Sequence, residues 1–305
     1  MRELIMLLVF FLPKERKIRI ERWLRGREES RKLALADCVI VSFGKSGRTW
    51  LRVMLSRFYQ LRHNLAERHL IGFDNLHRKN AAIPKIFFTH DNYLKDYTKN
   101  ADDKSDYYGK KVVLMVRDPA DVSVSQFFQW KFRMRKAKKE INAYPGEGED
   151  VSLYDFIMRP NAGLPKAIEF LNLWAREMGH IKDVLIVRYE DMRAQPEATL
   201  ARIVEFMGTP GTPEQIHQAV EFASVENMRG LEQKRVFWLS GGRMLAKDRN
   251  NLNTYKVRRA KVGGYREDFT PDELRNIDDY VQSNLLPGFG YETRDMAATD
   301  KVASA

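Results

Sequence analysis

Cys38-Val39-Ile40-Val41-Ser42-Phe43-Gly44-Lys45-Ser46-Gly47-Arg48-Thr49-Trp50 reads as a buried strand, a tight turn and a helix start. Cys38 to Val41 is an unbroken apolar run rich in β-branched residues, as a strand covered on both faces requires. Gly44 and Gly47 bracket Lys45 and Ser46, and their lack of side chains lets the backbone come close to a ligand. Leu51, Met54, Leu55, Phe58 and Tyr59 then fall on one helical face. A helix that starts after a parallel strand presents unpaired N–H groups and the positive end of its dipole. Lys45, Ser46, Arg48 and Thr49 add donors, so the turn suits a phosphate or sulfate. A Walker A loop would need glycine where Val39 stands, so the loop is too short to wrap a triphosphate. It is long enough for one phosphate, and Trp50 offers a flat face for an adenine.

Outward from this stretch the chain alternates strands and helices. Ile86-Phe87-Phe88-Thr89-His90 is a second strand ending in histidine, at the edge where parallel sheets bind ligands. Taken alone, that histidine reads more simply as a structural side chain. Val112 to Val116 is a further strand; Asp118 then caps a helix and Pro119 fits its first position. Arg117 stands at the strand edge, and Ser125, eight residues on, can face back toward it. Pairing of Arg117 with Asp118 or Asp121 is the structural alternative. Asp183 to Tyr189 is another strand, and helices are expected over 165–178, 196–207, 213–223 and 271–285. The helix after Asp118 is expected to run on through Phe132 into the basic stretch 131–139, read as a solvated face. Residues 62–84, 98–110 and 144–150 read as loops, and 230–266 as a basic segment with few regular signals. The fold class is α/β: a single domain, with a central, mainly parallel sheet flanked by helices.

The remaining composition narrows the function. The chain has 305 residues, a net charge of +11 and one cysteine, Cys38, in the predicted core strand. A lone buried thiol excludes an internal disulfide and favours a reducing, cytoplasmic compartment. The six histidines are scattered, so no metal site is expected. The positive charge favours anionic partners, but no nucleic-acid-binding signature accompanies it. Leu4 to Leu12 is an apolar run about half the length needed to span a bilayer, without the features of a cleaved signal peptide. Lys14 to Lys32 is basic. Together the two suit peripheral contact with the inner face of an anionic membrane, or else a helix packed on the domain, with a short signal anchor as the third reading. Residues 1–36 are therefore set apart from a domain over 37–292, and 293–305 from both as a disordered tail.

Ser42 to Trp50 resembles the 5′-phosphosulfate loop of the PAPS-dependent sulfotransferases, usually Tyr-Pro-Lys-Ser-Gly-Thr-Thr-Trp. The resemblance extends over about Asp37 to Phe269 and implies a P-loop-like sulfotransferase fold. It implies that 3′-phosphoadenosine 5′-phosphosulfate (PAPS) is the co-substrate, bound by Lys45, Ser46, Gly47, Arg48, Thr49 and Trp50. Arg117 and Ser125 match the family's 3′-phosphate pair, and Tyr189 the tyrosine that contacts adenine. Arg258 and Arg259 match its phosphate-binding basic loop. His90 takes the place of the general base, and Lys45 that of the lysine stabilising the leaving 5′-phosphate. No metal is implied, and the acceptor is an alcohol or amine, a glycan, glycolipid or small molecule; the N-terminal apolar run and the basic surfaces point to an anionic or membrane-associated one. The chain departs from the family at Phe88 (usually lysine), Arg48 (threonine), Val225 (phenylalanine), Ala260 (glycine), Gly264 (aspartate) and Tyr265 (tryptophan). Two rivals stand beside this reading: a P-loop kinase using magnesium and ATP, and a non-catalytic nucleotide- or membrane-binding protein of the same fold.

Overall fold

The computed structural model describes residues 2–234, 236–237, 248, 251–256 and 260–293. Strands β1 (Cys38–Ser42), β2 (Ile86–Thr89), β3 (Lys111–Val116) and β4 (Asp183–Arg188) form one all-parallel sheet in the order β2-β1-β3-β4. Helices α1 (Arg2–Leu8) and α2 (Lys14–Leu35) precede it. Helix α3 (Arg48–His63) links β1 to β2, and α4 (Leu94–Thr98) lies between β2 and β3. Helices α5 (Pro119–Phe128), α6 (Lys136–Ile141), α7 (Leu153–Met158) and α8 (Leu164–Glu177) lie between β3 and β4. After β4 come α9 (Tyr189–Ala194), α10 (Pro196–Phe206), α11 (Pro213–Phe222), α12 (Val225–Lys234) and α13 (Pro271–Asn284).

Period-two alternation divides the sheet between two cores. Cys38, Ile40, Val113 and Met115 pack with α3 and with the α10–α11 pair. Val39, Val41, Val112 and Leu114 face the other way, onto α8 and α13. Every residue of β1 is buried, which accounts for its unbroken apolar sequence. Burial also pushes the Cys38 thiol up to about 12, which leaves it inert.

The order of the strands positions the site. From β1 the chain moves to β2 on one side, then crosses to β3 on the other. The helices that follow β1 and β3 pack on opposite faces of the sheet. Between them, above the carboxyl ends of the strands, lies the crevice where such sheets take ligands.

Two expectations are corrected. The helix after Asp118 stops at Phe128, turns through a single π-helical segment, Gln129–Arg133, and breaks at Met134, whose backbone is extended. The basic stretch that follows is not a solvated face throughout: Lys139 is 4% exposed and pairs with Glu147 at 2.8 Å. The loop expected over 62–84 is present after α3, and it sends Leu70, Ile71, Leu76 and Ile83 into the core beneath that helix.

At the N-terminus the basic run forms α2, which packs on the body of the protein. Arg22 forks onto both oxygens of Asp96, at 3.0 and 2.9 Å. Gly26 lets the helix lie against the backbone of α4; a Cβ there would stand 2.3 Å from the carbonyl oxygen of Tyr93. Leu33 joins the core under β1 and β3. By contrast Leu4, Leu7, Leu8, Phe10 and Phe11 are each more than 60% exposed. Among the described residues no helix is long and apolar enough to cross a membrane.

Candidate active site

Each parallel strand delivers one candidate residue at its carboxyl end. β1 runs into the loop carrying Lys45, and β2 into His90; β3 ends at Arg117, and β4 at Tyr189. Their side chains meet around one cavity of about 440 Å³. Gly47, Arg48, Thr49, Trp50 and Ser125 also line it. Ser46 does not: it is 1% exposed, beneath the loop. Arg258 and Arg259 lie outside the described residues. Among the described residues no group of His, Cys, Asp and Glu side chains could hold a metal ion.

The loop is bent by two residues in the left-handed region, Lys45 (φ 74°) and Gly47 (φ 88°). Gly47 is the N-cap of α3, and no side chain caps the helix terminus that faces the cavity. Glycine is required there for a second reason: a Cβ would lie 2.7 Å from Cδ2 of Tyr189. The Tyr189 ring is held between the Arg117 guanidinium, 4.2 Å from its centroid, and the edge of Trp50, 6.2 Å away. Trp50 is anchored in turn by its Nε1–H, which donates to the Ala223 carbonyl at 2.8 Å. These contacts make an aromatic shelf beside an anion-binding loop.

Arg117 ties the strand edges together. It donates to the Lys45 carbonyl at 3.2 Å and to the Lys261 carbonyl at 3.1 Å, and pairs with Asp121 at 3.3 Å. The structural partner considered from the sequence is therefore present, yet Arg117 still lines the cavity. Asp121 also accepts from the backbone N–H groups of Gly263 (2.8 Å) and Tyr265 (3.0 Å). It thereby clamps the end of the basic segment, at Gly263 to Tyr265, against the site. Burial raises its carboxyl above the usual range, against the pull of Arg117.

His90 is oriented by the strand beside it. Its Nδ1 lies 2.8 Å from the carbonyl oxygen of Ser42, which can only accept. Nδ1 therefore carries the proton, and the Nε2 lone pair is the basic site. Burial, then the charges of Arg48 and Lys138, holds the imidazole well below its usual 6.5, so it stays neutral at physiological pH. Phe88 stands one residue before the Thr-His pair, and the Arg52 guanidinium lies 3.7 Å from its ring centroid, so α3 brings a cation beside that position.

Several lining residues were not singled out from the sequence. Asp121 was read there only as an alternative partner for Arg117, although an acid at the third residue of a capped helix was a usable signal. Lys138 reaches the cavity because the π turn and the break at Met134 redirect α6. Lys256 reaches it from the basic segment, where its backbone N–H donates to Glu232. Burial, then Lys45, Arg133, Lys138 and Arg48, pushes the Lys256 ammonium well below its usual value. No local pattern marks these two lysines among the 52 basic residues of the chain.

A family model described as the sulfotransferase domain matches residues 35–290. The chain belongs to the sulfotransferase family. Among its relatives, Cytosolic sulfotransferase 1 of Arabidopsis thaliana is 26% identical over 280 residues, covering 82% of this chain and 78% of the relative. Cytosolic sulfotransferase 13 of the same plant is 28% identical, covering 82% and 77%. Two solved structures share the fold of this sulfotransferase. Mouse sulfotransferase SULT7A1, complexed with PAP, aligns with a TM-score of 0.55 at 18% identity, covering 90% of this chain and 94% of that one. Retinol dehydratase in a complex with retinol and PAP aligns with a TM-score of 0.57 at 16% identity, covering 89% and 88%. The sulfotransferase fold expected from the motif at Ser42 to Trp50 is thus the observed one.

Proposed function

We propose that this sulfotransferase moves the sulfuryl group of PAPS to a hydroxyl or amine acceptor, leaving adenosine 3′,5′-bisphosphate (PAP). Family membership supports the reaction, as does the binding of PAP by the two structural neighbours. The observation that carries the reading for this chain is the convergence on one cavity of Lys45, a helix terminus without a side-chain cap and a half-buried neutral His90. In the proposed mechanism the α3 terminus and Lys45 bind the 5′-phosphosulfate. Arg117 and Ser125 take the 3′-phosphate, and Trp50 and Tyr189 hold the adenine. Arg48 and Thr49 border the phosphosulfate; Arg258 and Arg259 are proposed as further phosphate ligands.

The acceptor oxygen attacks sulfur in line with the bridging oxygen of the donor, as in phosphoryl transfer. As the O–S bond forms, the acceptor proton passes to Nε2 of His90. As the S–O bridge breaks, its electron pair goes to the 5′-phosphate oxygen, where Lys45 balances the charge. General-base catalysis of this kind contributes about 100- to 10,000-fold. His90→Gln is expected to lower kcat by that factor with PAP affinity unchanged. Unaltered turnover of PAPS by the variant would remove His90 from the chemistry.

A second reading concerns location. The exposed Leu4, Leu7, Leu8, Phe10 and Phe11 stand next to Arg2, Lys14 and Arg16, a combination suited to an anionic lipid surface. We propose peripheral contact with the cytoplasmic face of a membrane, a compartment also supported by the names of the plant relatives. Because α2 is packed into the fold, removing it would damage the protein. Phe10→Ser with Phe11→Ser is the cleaner test, and equal pelleting with phosphatidylserine vesicles would refute the contact.

A further inference from the structure

β2 ends at Thr89, and the chain turns away from the sheet directly after His90. At Asp91 the backbone enters the left-handed region, with φ 54°. Residues with a Cβ adopt that conformation at a cost, and Asp and Asn do so most readily. His90 and Asn92, on either side, line the cavity, whereas Asp91 does not. The Asp91 side chain is 4% exposed and is engaged by the body of the protein.

Its two carboxylate oxygens have different partners. The Tyr107 hydroxyl donates to Oδ1 at 2.9 Å, and the Lys104 ammonium pairs with Oδ2 at 2.7 Å. The backbone N–H of Asp91 donates to Oγ1 of Thr89 at 2.8 Å, which closes the turn around His90. The Thr89 hydroxyl in turn donates to Glu29 of α2 at 3.4 Å. Lys104 and Tyr107 come from the segment that leads into β3, and both are buried. They are backed by α8. The Lys104 backbone N–H donates to Glu177 at 3.0 Å. The Lys104 ammonium lies 5.7 Å from the ring centroid of Trp174, and the Tyr107 ring meets the same indole edge-on at 5.2 Å. Desolvation offsets most of the attraction within a buried ion pair, so this one adds little net stability over apolar side chains. Its directional hydrogen bonds do restrict the turn to one shape.

That shape matters because the imidazole hangs on one contact. Nδ1 of His90 lies 2.8 Å from the Ser42 carbonyl oxygen at the end of β1. A displacement of about 1 Å would break this hydrogen bond. A neutral imidazole released from it can carry its proton on either nitrogen, and the Nε2–H form has no lone pair to offer an acceptor.

We propose that Asp91 is a positioning residue for His90: held by Lys104 and Tyr107, it fixes the turn that keeps the proton on Nδ1 and the Nε2 lone pair toward the acceptor. The inference rests on His90 as the general base of the proposed reaction and names what orients it.

The test reads the proton directly, in the full chain with isotopically labelled histidine nitrogens. Spectra are recorded at about pH 8, where an imidazole is neutral and its nitrogen shifts report which atom is protonated. His90→Gln identifies the His90 signals among those of the six histidines. Wild type should show the Nδ1–H form. Asp91→Gly allows the same backbone turn without the carboxylate, and it should lose that form to a mixture with Nε2–H. Asp91→Asn also tolerates the left-handed backbone and keeps an oxygen for Tyr107, so it should fall between the two. PAP affinity should stay within about twofold of wild type in both variants, which shows that they are folded. Should Asp91→Gly fail to bind PAP, Lys104→Met takes its place, with the same loss expected. Retention of Nδ1–H in Asp91→Gly, or in Lys104→Met where it is used, would overturn the proposal. So would a loss as complete in Asp91→Asn as in Asp91→Gly, or a wild-type His90 protonated on Nε2. The proton is read without PAPS. Unaltered PAPS turnover by His90→Gln is therefore a separate result, one that removes the base from the chemistry.

Discussion

Gly47→Ala is the most demanding test of the donor loop, because one added carbon meets two independent obstacles. The backbone at Gly47 has φ 88°, where an L-residue with a Cβ pays about 1–2 kcal/mol. The new Cβ would also lie 2.7 Å from Cδ2 and 3.2 Å from Cε2 of Tyr189, and 3.1 Å from Cε of Met192. The tyrosine cannot retreat freely: it is 6% exposed, with Arg117 on one side and Trp50 on the other. Overpacking of this kind costs about 1–3 kcal/mol. The sum, roughly 2–5 kcal/mol, corresponds to a fall in Tm of about 2–4 °C for each kcal/mol. The same displacement moves the helix terminus and the aromatic shelf together, so PAP affinity falls with stability. Thermal melts with and without PAP, with calorimetric titration, measure both. Adding Tyr189→Ala removes the nearer overlap and leaves the backbone cost, so the two substitutions should be non-additive by about 1–2 kcal/mol. A Tm within about 2 °C of wild type, together with unchanged PAP affinity, would show that the described loop geometry is wrong.

Other outcomes follow from the same geometry. The pH profile of kcat/KM should keep its acid limb below the ordinary histidine value of 6.5, since a depressed pKa leaves His90 unprotonated and competent there; Lys138→Gln, which removes one cause of the depression, should move that limb upward, and a limb above 6.5 in wild type would contradict the assigned environment. Asp121→Ala removes the acceptor of the Gly263 and Tyr265 backbone N–H groups and the partner of Arg117, so the end of the basic segment should detach; stability should drop by about 3 kcal/mol, with greater protease sensitivity near Gly263, and intact stability would argue against the clamp. PAP at 100 times its Kd should add about 2.7 kcal/mol of stability without magnesium; a shift seen only with magnesium and ATP would favour the kinase alternative.

The difference between what was legible in the sequence and what was not has a physical basis. β-branched runs, glycines at tight turns, Asp118 before Pro119 and the prolines opening α10, α11 and α13 act on the nearest few residues. They specify strands, turns and helix starts locally, and so the parallel sheet and the residues at its carboxyl edge could be read directly. The motif from Ser42 to Trp50 belongs to the same class, because its glycines and cations act within one turn of chain. Three features were beyond such reading. The π turn at Gln129–Arg133 arises where Arg133 is drawn to Glu232 and to the Thr254 carbonyl, partners about a hundred residues away. The basic run of α2 left membrane contact and packing on the domain both open, and only the meeting of Gly26 and Arg22 with α4 shows it packed. Finally, the charge of Lys138 and Lys256 is common in this chain, and only the packing of α6 and the late basic segment around His90 turns two ordinary lysines into part of one electrostatic site. Backbone conformation is dictated largely by neighbours in sequence, whereas a field is a sum over neighbours in space. The sequence by itself therefore determined the sheet, the loop and the residues at its carboxyl edge, and the tertiary structure decided which distant cations join them around the cavity.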